Sequence, residues 1–79
     1  MEDQYVRVTF PTRRKVWVDE RPTGFTNRVF QLETGTHVFH LGEPPDYTPE
    51  QQEVLVTGTI PGEPMVIAFQ PLAADPGEG

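Results

Sequence analysis

The chain contains no cysteine and no serine, and only one lysine and one tryptophan. Without cysteine, no disulfide staples it and no thiolate holds zinc. Without serine or cysteine, the ordinary nucleophiles of covalent catalysis are missing, and only threonine or a less usual group is left for that role. The longest apolar run, Met65-Val66-Ile67-Ala68-Phe69, is far shorter than the ~20 residues that cross a bilayer as a helix. The opening MEDQYVRVTF is acidic and alternating, unlike a secretory leader. Together these absences predict a soluble chain with no membrane insertion. They place it in the cytoplasm as it stands, or in the cell envelope if it is one domain of a longer protein. There is no glycine-rich phosphate loop, so neither enzymatic activity nor a cofactor is expected.

Cations are also missing from most of the sequence. All six basic residues (Arg7, Arg13, Arg14, Lys15, Arg21 and Arg28) precede Val29, while eight of the twelve acids follow it. A net charge of −6 disfavours general nucleic-acid binding, which depends on positive surface. The asymmetry either steers a charged partner or only solvates a small domain. At 79 residues there is room for one domain, and a domain this small has a thin core.

Period-two alternation, broken at short intervals by proline and glycine, is the main pattern present, and helical periodicity is absent. This predicts an all-β fold, a small six- to seven-stranded antiparallel β-sandwich. Strands are expected over 5–10, 15–19, 28–33, 36–41, 52–57 and 65–70. Their core faces are Val6, Val8 and Phe10; Val16 and Val18; Phe30 and Leu32; His37, Phe39 and Leu41; and Met65, Ile67 and Phe69. Pro11 ends the first strand, the 11–14 segment makes a hairpin tip, ERPTG makes a turn, and Thr34-Gly35 closes a tight hairpin. The proline-rich 42–51 loop is pinned by Tyr47. Residues 1–4 form a tail, 5–70 the domain and 71–79 a disordered tail.

In order and spacing these elements resemble the PEGA domain family. The correspondence runs through Val8 to Pro11, Val16-Trp17-Val18-Asp19-Glu20, Gly24-Phe25-Thr26-Asn27, Gly35-Thr36-His37, Phe39, Leu41 and Tyr47. Pro11-Thr12-Arg13-Arg14 stands where the family's Pro-Glu-Gly-Ala motif would be, Glu20 replaces a glycine, and Asn27 replaces a proline. The resemblance implies a β-sandwich accessory module without catalysis.

The candidate partner-binding residues are Arg13, Arg14, Lys15, Trp17 and Tyr47. A cationic tip can grip an anion through the arginine fork, or simply guard an edge against aggregation. Trp17 should point outward, because Val16 and Val18 point in. It is then a partner hot spot or is covered by an arginine stem. His37 and His40 lie three apart on a strand, face opposite sides and make no metal pair. Asp19 and Glu20 diverge, and Asp19 should accept N–H bonds in the turn that follows it. The 43–50 loop either recognises a partner or shields an edge. The leading reading is a noncatalytic interaction module for a protein partner. The alternatives are a carbohydrate-binding module of the cell envelope, with Trp17 exposed and Tyr47 or another aromatic beside it in one platform, or a structural spacer with Trp17 covered. Oligomeric state stays open, with a dimer through an edge strand among the options.

Overall fold

The computed structural model describes residues 3–72. The fold is all-β. Its elements are β1 (Asp3–Thr9), β2 (Lys15–Val18), β3 (Arg21–Phe25), β4 (Val29–Glu33), β5 (Gly35–His40), β6 (Tyr47–Thr48), β7 (Gln52–Val56), β8 (Met65–Ala68) and β9 (Gln70–Pro71). Three strands form one sheet in the order β4-β1-β8, four form a second in the order β3-β2-β5-β7, and β6 pairs with β9. The two larger sheets share one core. Val6, Val8 and Ile67 from the first meet Val16, Val18, Phe39 and Val56 from the second. Residues i and i+2 of a strand share a face, so the alternation in the sequence accounts directly for which side chains are buried.

The alternation does not fix which strands pair, and here the molecule departs from expectation. β1 and β2 make no hairpin: the 11–14 segment carries the chain from one sheet to the other. β4 and β5 are likewise in different sheets, so Thr34-Gly35 is an arch and not a tight hairpin. Most of ERPTG, expected as a turn, belongs instead to the strand RPTGF. It lies at the edge of its sheet and pairs with β2, and an edge position tolerates Pro22. The turn between β2 and β3 is only Asp19-Glu20, with φ of 52° and 68°, the left-handed pair of a two-residue hairpin. One pairing is parallel, β1 with β8, within an otherwise antiparallel structure.

Buried polar groups secure these crossings. Thr26 is 2% exposed. Its hydroxyl accepts the Arg14 N–H at 2.8 Å and donates to the Thr12 carbonyl at 2.7 Å. Asn27 has φ of 66°, a conformation asparagine tolerates better than most residues. Its side-chain amide donates to the Phe10 carbonyl at 2.7 Å and accepts the Phe10 N–H at 3.3 Å, as a neighbouring strand would. The first strand starts earlier than expected, inside the presumed tail. Gln4, 3% exposed, accepts from the Thr59 N–H and hydroxyl at 2.9 and 2.6 Å and donates to Thr34 Oγ1 at 2.7 Å. At the other end Pro71 is paired with Tyr47. Of the expected C-terminal tail, residues 73–79 lie outside the described residues.

Candidate functional site: an acidic groove at Trp17

The cationic triplet does not act as a unit. Arg14 is turned inward, with its side chain 12% exposed. It pairs with Asp46 and donates to the Leu41 and Pro44 carbonyls at 3.3 and 2.8 Å. Its guanidinium lies over the Phe10 and Tyr47 rings, 5.6 and 5.2 Å from their centroids. It therefore clamps the 42–46 segment to the body. Arg13 covers Phe25, 4.5 Å from the ring centroid, and Lys15 is exposed. The tip thus divides into one structural arginine, one arginine lying on a ring and one open lysine.

Tyr47 is 7% exposed and pins its loop as expected. Its hydroxyl accepts the Leu41 N–H at 3.2 Å and donates to the Gly42 carbonyl at 3.0 Å. Its ring meets Phe10 and Phe69 edge-on, at 6.4 and 5.6 Å. The segment therefore covers the core end and offers little of its aromatic surface.

Trp17 points to the outer face, as alternation requires, and is half-buried there. Its cross-strand neighbour is His40, opposite it in register. The two rings stack at 5.8 Å and 11°. His40 Nδ1 accepts the Gly42 N–H at 3.0 Å, which assigns the ring proton to Nε2, 3.7 Å from Glu20. Gly42, at φ of 70°, lies against the indole edge: a Cβ there would be 2.5 Å from Nε1. Around this pair opens a groove of 410 Å³ whose walls include Trp17, His40, Glu20, Glu43, Pro45, Tyr47 and Glu50, so that two of the expected partner-binding residues, Trp17 and Tyr47, share it. No lysine or arginine lines it. A protein-partner surface would be expected to carry an apolar patch around Trp17 ringed by Arg and Lys; here the rim is acidic. Sequence reasoning missed His40 as Trp17's partner, because cross-strand register is not local information.

The other histidine belongs to the opposite face. His37 Nδ1 contacts Asp19 Oδ2 at 2.6 Å, and Nε2 donates to the Glu33 carbonyl at 2.8 Å. Asp19 Oδ1 also accepts the Val38 N–H at 3.0 Å. The acid thus reaches across to β5 instead of capping the turn that follows it. Burial disfavours a charged His37, but the hydrogen bonds to Asp19 and to the Glu33 carbonyl outweigh it and hold the pKa above the ordinary value. The His37 bond, then the Val38 N–H, pull the Asp19 carboxyl below its usual range. A raised histidine pKa stabilises the fold below the unfolded value near 6.5 and is lost as pH rises through the folded one. A lowered carboxyl stabilises above the unfolded value near 3.8 and is lost as pH falls through the folded one. The pair therefore contributes most between those two values. The unfolding midpoint is expected to fall as pH is raised from about 6 to about 8.5, and less so in Asp19→Asn. Equal slopes in both proteins would refute the coupling.

Among the described residues, no cluster of three or more His, Asp or Glu is placed to hold a metal. No helix there is long and apolar enough to cross a membrane. No known family's sequence profile, curated protein or solved structure matches the chain.

Proposed function

We propose that the chain is a noncatalytic interaction module that holds a protein partner at the Trp17 groove. The observation that carries this reading is the placement of Trp17. It is held by His40 and Gly42 on the open face of the four-stranded sheet, next to a cavity it helps to line. A large aromatic fixed in place before binding loses little side-chain entropy on contact, which is the property of a hot spot. The resemblance to PEGA domains supports the same role, and membership of that family is part of the proposal. The carbohydrate alternative needs Tyr47 or another aromatic in one platform with Trp17; Tyr47 lines the same groove, but it is only 7% exposed and its ring packs edge-on against Phe69.

The test is capture of host proteins on immobilised domain. A partner retained by the wild type should be lost by Trp17→Ala, with thermal unfolding of the variant still cooperative. Identical captures by wild type and Trp17→Ala would defeat the reading.

A further inference from the structure

The partner's chemistry follows from the charges around the groove. Glu20, Glu43 and Glu50 line it with the Trp17–His40 stack, and no lysine or arginine lines it. Glu43 and Glu50 have no ionic partner among the described residues, and Glu20 only the 3.7 Å approach to His40. The second large groove, beside His37, makes the contrast. It holds Asp19, Glu33 and Arg21 together, and His37 there is already bonded to Asp19, so its charges are largely answered from within. At Trp17 the negative charge is unanswered.

We propose that this groove binds an arginine side chain presented by an extended segment of the partner protein, an inference that rests on the groove being the partner surface. Tryptophan has the strongest aromatic quadrupole for holding a cation. Arginine suits the site better than lysine: a planar guanidinium stacks on rings and offers paired N–H donors to carboxylates. A volume of 410 Å³ lies at the lower end of ligand pockets, room for one such side chain with adjoining backbone. The indole N–H, which has no hydrogen-bond partner among the described residues, is a donor for a peptide carbonyl. The protein's own basic residues do not fill the site: Arg14 is bonded to Asp46 and Arg13 lies on Phe25.

The sole tryptophan gives a direct readout. The probes are acetyl-Gly-Arg-Gly-Arg-Gly-amide and the same peptide with citrulline, the neutral isostere, at both arginine positions. The arginine peptide should shift Trp17 fluorescence saturably and bind more weakly as salt is raised. Glu20→Gln/Glu43→Gln/Glu50→Gln should weaken it at least tenfold with unchanged thermal unfolding. Asp3→Asn/Glu33→Gln/Glu63→Gln, which removes the same formal charge away from the groove, should leave it intact. Equal weakening by both triple variants would reduce the effect to net charge and overturn the inference. Equal binding of the citrulline peptide, abolished by Trp17→Ala, would overturn the arginine assignment and leave the groove as partner surface. A silent Trp17 with both peptides, alongside a protein captured through Trp17, would do the same.

Discussion

Arg14→Ala is expected to lower the unfolding free energy by about 2–3 kcal/mol in urea titrations, with an unchanged m-value. The reason is the number of tasks one side chain performs. Its guanidinium answers Asp46, caps the Leu41 and Pro44 carbonyls and covers two aromatic rings. Charge-assisted bonds of this kind contribute roughly twice as much as neutral ones, and a partly shielded ring contact adds about 0.5–1 kcal/mol. For a domain stabilised by roughly 5 kcal/mol, that is about half of the total. Arg14→Lys should recover little, since an ammonium is a point charge and cannot span three divergent acceptors. Arg13→Ala, one position away, should cost no more than about 1 kcal/mol. Similar losses at both arginines would refute the clamp.

Gly42→Ala should have the second large effect, about 2–4 kcal/mol, from two separable causes. The backbone there is at φ of 70°, which disfavours any L side chain by about 1–2 kcal/mol. The added methyl would also sit 2.5 Å from Trp17 Nε1 and 3.0 Å from Cδ1, so the indole must leave its stack on His40. Gly58 supplies the control: its φ is 73°, yet nothing lies within 4 Å of its would-be Cβ. Gly58→Ala should show the backbone cost alone, about 1–2 kcal/mol. Tryptophan emission should shift to the red in Gly42→Ala and stay unchanged in Gly58→Ala. An unshifted spectrum in Gly42→Ala would mean that the glycine does not position the indole.

The sequence displays its buried faces openly, because a strand places every second side chain on one side and the apolar residues follow that period. Val6, Val8, Val16, Val18, Phe39, Leu41, Ile67 and Phe69 all lie inward as alternation predicts. Tyr47 is also legible, as the one large aromatic in a stiff loop. Pairing is not legible, because an arch between sheets and a hairpin within one use similar short polar connections. RPTGF hides as a strand for a related reason: its proline and glycine are turn residues by composition, and only an edge position makes them harmless. The polar fasteners are hidden most thoroughly. Thr26, Asn27 and Gln4 bond to backbone or side chains 12, 17 and 55 positions away, and no local pattern announces such distances. Leu55 shows the opposite failure. The apolar run Val54-Leu55-Val56 is compatible with burial of both faces, yet Leu55 is 58% exposed because Val54 and Val56 take the inner face.

The parallel pairing of β1 with β8 has a consequence for how the molecule is made. Val6 lies opposite Met65, so within this domain β1 gains one of its two neighbours only once β8, far along the chain, has been made. Contacts so distant along a chain form late and slow folding. Until then a strand rich in valine keeps an open hydrogen-bonding edge, the feature that invites other nascent chains to pair with it. Birth, more than maturity, is the hazardous stage for this domain, and a rapid supply of residues 65–69 is what closes it.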